Sequence, residues 1–224
     1  MSDDVGIAER VAAVRERIAE ACRTAGRSPS EVTLVAVSKG QPIAAVTEGA
    51  AAGLTDFGEN FVQELEAKRA AAPDARWHFL GRIQSNKARR IAAADVIHGL
   101  EPGEGARRLA AAGTSSGSPV RALLEVDFTG RRQGVPPHEV PAALDGLRSV
   151  PGLVLEGLMT VVPLDSGEPR GWFARLRELR DIHAPDLREL SMGMSDDFPG
   201  AVEEGATMVR IGTALFGARP FKET

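Results

Sequence analysis

The chain has 224 residues, 43% of them hydrophobic and 26% charged, with 27 basic against 31 acidic side chains. This is ordinary globular composition, and a net charge of −4 leaves no global field to draw the molecule to nucleic acid or anionic lipid. A single cysteine, Cys22, excludes an internal disulfide framework and a cysteine-built zinc site, and no apolar run approaches the roughly 18 residues that span a bilayer.

The opening residues Met1-Ser2-Asp3-Asp4 carry acid where a signal peptide carries base, so a cytoplasmic protein is expected. Residues 4–25 read as an amphipathic helix. Ile7, Val11, Val14, Ile18 and Ala21 recur at intervals of three and four, and Gly26 with Pro29 closes the pattern. Cys22 is expected to fill space near its end. Beyond it, short apolar runs alternate with stretches of helical composition. The runs are 32–38, 55–58, 77–81, 95–100, 120–127, 155–160, 189–192 and 208–212. The helical stretches are 43–52, 60–71, 85–93, 104–112, 137–147, 172–183 and 196–204. Eight runs separated by helices predict an α/β protein built as one closed parallel (β/α)8 barrel, a TIM barrel, with an extra N-terminal helix. No linker divides it, so residues 1–224 are read as a single domain. An open doubly wound sheet would want a glycine-rich fingerprint after the first run, and Ser38-Lys39-Gly40-Gln41-Pro42 is not one.

Chemistry in such a barrel sits at the carboxyl ends of the strands. The first run ends in Ser38-Lys39, and alternation puts Lys39 on the face of Val35 and Val37, toward the mouth. Lys39 is thus either a strand-end lysine that snorkels outward or a partly desolvated amine able to attack a carbonyl. The seventh run leads through Ser191, Met192 and Gly193 to Ser195-Asp196-Asp197, where Ser195 is placed as a helix N-cap. The eighth ends Arg210-Ile211-Gly212-Thr213. Loops after strands seven and eight commonly cradle phosphate in this fold, with Gly212 allowing close approach and Ser195 and Thr213 offering hydroxyls. The same residues also suit a plain N-cap and turn, and Asp196 and Asp197 oppose an anion unless they face away. Arg210 shares the face of Gly212 and needs an acceptor, either a carboxylate or an aromatic ring nitrogen. A lysine, a phosphate cradle and an arginine round one mouth suggest pyridoxal 5′-phosphate (PLP). Asn60, after the second run, either reaches that cofactor or caps the next helix. His78 reads as a packed, hydrogen-bonded core histidine, and Lys87, Arg89 and Arg90 as a solvated basic face.

The ordered motifs Val35-Ala36-Val37-Ser38-Lys39, Phe57-Gly58-Glu59-Asn60, Trp77-His78-Phe79-Leu80-Gly81, Gly157-Leu158-Met159-Thr160, Ser191-Met192-Gly193-Met194-Ser195 and Arg210-Ile211-Gly212-Thr213 span nearly the whole chain. Together they resemble the PLP homeostasis protein family, also called the YggS/PROSC-like family. The resemblance implies the fold-type III PLP architecture, similar to the N-terminal domain of alanine racemase. It implies Lys39 as the Schiff-base lysine, Arg210 as partner of the pyridine nitrogen, and Ser195, Gly212 and Thr213 at the phosphate. Asn60, Ser191 and Met192 are implied as neighbours of the cofactor, and no residue is implied as catalytic. Gly40-Gln41, Gly81-Arg82 and Phe61 depart from the usual pattern without removing a ligand.

The family is associated with the supply of free PLP rather than with an established reaction. The alternative is a PLP-dependent amino-acid racemase, and a cofactor-free aldolase using Lys39 is a third reading. Racemisation in the related barrels pairs the lysine with a tyrosine from a second domain, and this chain has no tyrosine and ends shortly after the eighth run. A carrier that holds PLP, hands it to apo-enzymes and works as a monomer is therefore expected.

Overall fold

The computed structural model describes residues 5–162 and 169–218. The strands are β1 (Thr33–Val37), β2 (Asp56–Glu59), β3 (Arg76–Phe79), β4 (Val96–Leu100), β5 (Val120–Glu125), β6 (Leu153–Met159), β7 (Glu189–Ser191) and β8 (Met208–Ile211). All pair in parallel, in chain order, and β8 returns to β1 to close the barrel. The helices among the described residues are α1 (Ile7–Thr24), α2 (Ile43–Ala51), α3 (Val62–Arg69), α4 (Ala88–Ile91), α5 (Glu104–Ser116), α6 (Val140–Arg148), α7 (Pro169–His183), α8 (Phe198–Glu203) and α9 (Thr213–Phe216).

The expected barrel is therefore the observed one, with shifts at the ends of elements. The predicted start of the first helix at residue 4 lies outside the described residues. The stretch 85–93 divides into a 3-10 turn, Ser85–Lys87, and the single turn α4. Helix α5 runs on to Ser116 and stops at Gly117, whose φ of +70° ends the helix as glycine readily does.

Two apolar layers hold the barrel. Outside the strands, helix faces cover a continuous core in which Phe57 and Trp77 stack with ring centroids 5.4 Å apart. The extra helix α1 joins this layer through Val11, Val14, Ile18, Ala21 and Cys22, packed against α8, α9 and α2. Inside the bore Val35, Val96, Leu123, Met159 and Met208 form a second, smaller cluster. The rest of the bore is polar: Asp56, His78, His98, Glu125, Ser191 and Arg210 are all buried. Near-continuous apolar strands are the rule for parallel sheets covered on both faces, so this polar column marks where the barrel departs from stability alone.

Candidate ligand site at the barrel mouth

A cavity of about 350 Å³ opens at the carboxyl ends of the strands, lined by Lys39, Asn60, Arg132, Ser195, Arg210, Gly212 and Thr213 with the apolar flanks of Val37, Leu80 and Met159. That volume is at the small end of the range for small-molecule sites. Larger grooves beside α1 and between α4 and α5 are lined largely by helix flanks and bring together no comparable set of strand-end groups.

Lys39 lies in the turn after β1, and Val37 and Lys39 both face the cavity, as alternation requires. The residues on either side of it are pinned. Ser38 Oγ donates to Glu59 Oε1 at 2.7 Å and Ser38 O accepts from Lys68 Nζ at 2.6 Å. Gly40 N–H donates to Glu64 Oε2 at 2.8 Å. Lys68 Nζ also reaches Glu59 Oε1 and Glu64 Oε2, each at 2.7 Å. Gly40 adopts φ +70°, a left-handed conformation that a side chain would strain, so glycine after the lysine is what the turn demands. Burial raises the Glu59 carboxyl above its usual range, against the pull of Lys68 and Ser38. Its Oε2 is the buried side-chain oxygen without a hydrogen-bond partner among the described residues.

Arg210 stands on β8 beside Val35 of β1 and is 6% exposed, so its donors must find acceptors inside the barrel. Its Nη1 donates to Ser191 Oγ at 2.6 Å and its Nη2 to Thr160 O at 2.8 Å. Burial lowers the guanidinium to about 10, while Glu125 and Asp197 act through space in the opposite direction. Of the two acceptors expected, a carboxylate or a ring nitrogen, no carboxylate among the described residues is hydrogen-bonded to it; its acceptors are a hydroxyl and a carbonyl. These take two of the five N–H groups an arginine carries.

The loops after β7 and β8 are tied together, since Ala214 N–H donates to Ser195 Oγ at 3.3 Å. Ser195 is not the N-cap expected of it. Helix α8 starts at Phe198 with Asp197 in the cap position, and the Asp197 carboxylate instead accepts from Met194 N–H at 2.6 Å. Two cap-forming residue types within three positions made the sequence ambiguous, and the chain places the later one at the helix end. Asp197 is thereby engaged with backbone, whereas Asp196 lines the cavity.

Asn60 also lines the cavity and is no helix cap, because α3 begins at Val62 after Phe61. Its placement depends on Gly81: a Cβ there would lie 2.0 Å from Asn60 O. Ser191 lies below the cavity, against Arg210, and Met192 is fully buried in the outer core. Sequence reasoning missed Arg132, which the loop after β5 delivers to the mouth. Asp127 organises that loop, accepting from Thr129 N–H at 2.9 Å and from Arg132 N–H at 2.9 Å. The basic pair Arg131-Arg132 between Gly130 and Gly134 was the available signal. It also missed Glu125, which burial pushes up to about 7 and which accepts from Gln133 Nε2 at 2.6 Å.

His78 is the packed core histidine expected, wholly buried with both ring nitrogens hydrogen-bonded. No group of side chains with metal-binding composition occurs among the described residues.

A closed parallel barrel with a lysine after its first strand and an arginine on its last belongs to a recognised class. The family model described as the alanine racemase N-terminal domain matches residues 10–220. Alanine racemase from Corynebacterium glutamicum superposes with a TM-score of 0.69 over 96% of this chain and 62% of its own, at 18% identity, a likeness of fold. Nearer relatives narrow the class. The pyridoxal phosphate homeostasis protein of Pseudomonas aeruginosa is 46% identical over 223 residues, 96% of each chain. PipY of Synechococcus elongatus, solved with PLP bound, is 40% identical with a TM-score of 0.81, covering 94% of this chain and all of that one. The chain belongs to the pyridoxal phosphate homeostasis protein family.

Proposed function

We propose that the protein binds PLP at the barrel mouth and serves the cell's PLP supply as a carrier, without a reaction of its own. The observation that carries this reading is the meeting, in one cavity, of Lys39, Arg210 and the tied loops after β7 and β8. Among the described residues Asp196, which also lines the cavity, is the one group that opposes an anion there; the remaining donors fit the cofactor group by group. Lys39 is the amine for the aldehyde, Arg210 the donor to the ring nitrogen, and Ser195, Gly212 and Thr213 the cradle for the phosphate. Asn60 and Arg132 complete the wall. Bound there, the cofactor supplies an aldehyde for covalent attachment and an electron-withdrawing ring.

An arginine, unlike a carboxylate, keeps its protons, so the ring nitrogen facing it stays unprotonated and the ring is a weaker electron sink. The absence of tyrosine from the chain removes the usual second base of the racemases. Both features favour holding over turnover. Relatives named as homeostasis proteins, such as that of P. aeruginosa, agree. No helix of the described residues is long and apolar enough to cross a membrane. We place the protein in the cytoplasm as a single-domain monomer that passes PLP to apo-enzymes.

Absorbance tests the reading directly. Purified protein mixed with PLP should gain a visible band, and borohydride should leave a phosphopyridoxyl mass increment on the peptide that carries Lys39. Lys39→Ala should lose both with an unchanged far-ultraviolet circular dichroism spectrum. Protein that takes up no PLP, or a label on a residue outside the cavity, would overturn the assignment. Alanine racemisation abolished by Lys39→Ala would restore the enzyme reading.

A further inference from the structure

A line of hydrogen bonds crosses the bore from the floor of the barrel to its mouth. Asp56, at the start of β2, has Oδ1 2.9 Å from His78 Nε2. His78 Nδ1 is 2.8 Å from His98 Nε2, and His98 Nδ1 is 2.8 Å from Ser191 Oγ. Ser191 Oγ accepts from Arg210 at 2.6 Å. The strands that carry these residues, β2, β3, β4, β7 and β8, include pairs that are not neighbours, so the line passes through the interior.

We propose that Asp56 is a positioning residue for Arg210, acting through a one-way chain in which Arg210 donates to Ser191, Ser191 to His98, His98 to His78, and His78 to Asp56. The direction follows from the two ends. A guanidinium only donates and an ionised carboxylate only accepts. Asp56 is ionised: burial alone would raise it, but hydrogen bonds from His78 and Arg76 bring it down to about 2. His78 therefore carries a proton on Nε2. At the other end, Ser191 takes a donor from Arg210 and has one proton of its own, for which His98 Nδ1 is the acceptor. His98 is then bare at Nδ1, protonated at Nε2 and donates to a bare His78 Nδ1. The chain so drawn leaves neither ring with a second proton, which suits their complete burial, and burial holds His98 well below its ordinary range.

The chain turns a lone pair of Ser191 toward Arg210 and its proton away. With Thr160 O as the second acceptor, the guanidinium is fixed at two corners and its remaining donors are available to a ligand. That last step rests on the reading of Arg210 as partner of a bound ring nitrogen.

Long-range 1H–15N spectra of the ligand-free protein test the chain without a variant and without PLP. Both His78 and His98 should appear as the neutral Nε2–H tautomer. A proton on Nδ1 of either ring would overturn the proposal. Asp56→Leu keeps the size and removes the terminal acceptor, so both rings should shift toward Nδ1–H and the Arg210 guanidinium resonance should move; rings that keep Nε2–H would overturn the proposal. A switch of the rings with Arg210 unmoved would also overturn it. PLP affinity should fall about fivefold in Asp56→Leu, about the effect of one hydrogen bond. The same loss is expected in Ser191→Ala, with no further loss in the double variant; independent, multiplying losses would mean that the two residues act separately. The expected tautomers in a wild-type protein that takes up no PLP would sink the cofactor reading and leave the chain standing.

Discussion

Two of the cations that face the cavity, Lys39 and Arg210, are supported in opposite ways. The turn of Lys39 rests on ions: Lys68 and Glu64 hold the backbone of Ser38 and Gly40, and Glu59 holds Lys68 and the Ser38 hydroxyl, through short contacts that are buried or half-buried. Arg210 rests on neutral groups, a hydroxyl and two imidazoles that lead to a distant carboxylate. The ionic clamp fixes where a flexible side chain is rooted. The neutral chain fixes the orientation of a planar group at its tip. Under the function proposed above, a lysine that forms and releases a covalent link suits the first arrangement, and an arginine that presents donors at fixed angles suits the second.

Removing one ion from the clamp should have the largest effect. Lys68→Met leaves Glu59, wholly buried, without its cation, and a broken buried pair costs about 3–5 kcal/mol. Urea unfolding should show that loss, and adding Glu59→Gln should recover most of it by removing the stranded charge. A loss below about 1 kcal/mol would put the Lys68 pair in the class of surface ion pairs and erase the contrast between the two supports.

Glu125 sharpens the comparison, because it is a buried carboxyl that neither support uses. Its folded pKa of about 7 lies above the usual value near 4.3. Stability from the protonated form is therefore complete below about pH 4.3 and is lost as pH rises through about 7. Glu125→Gln should abolish that decline and leave the variant more stable than wild type at pH 8, by on the order of 2 kcal/mol. Thermal unfolding between pH 4.5 and 8 checks the slope. Parallel curves for the two proteins would mean that Glu125 is ionised throughout.

The contrast also explains what could be read from the residues alone. Strands such as β1 and β5 were visible as apolar runs, because a parallel barrel covered by helices needs such runs, whereas β2 and β7 carry a single large apolar residue each and were legible from their place in the alternation. Lys39 and Arg210 were visible because strand ends are where chemistry collects in this fold. The supports were not. Ser191 and His98 lie 93 residues apart, and their meeting depends on which inward positions face each other across the closed bore. Alternation tells which side chains point inward but not which of them touch. Glu64 and Lys68 carried a local signal, their spacing of four on a helix, yet that spacing usually marks a solvated pair. Only the closed barrel brings them against Glu59 and the turn of Lys39.

Ser195→Ala should give the smallest effect and is the most selective probe of the phosphate cradle. Had Ser195 been an N-cap, its loss would weaken α8 and the ligand site together. The structure separates the two, since Asp197 holds the cap position and Ser195 accepts from Ala214 in the neighbouring loop. One long hydrogen bond of this kind is worth about 0.5–1 kcal/mol, so the melting temperature should move little. The affinity for PLP should fall about fivefold through the lost hydroxyl, and inorganic phosphate should lose its ability to compete in the same proportion. A variant that loses stability but keeps both affinities would return Ser195 to a purely structural role and remove it from the cradle.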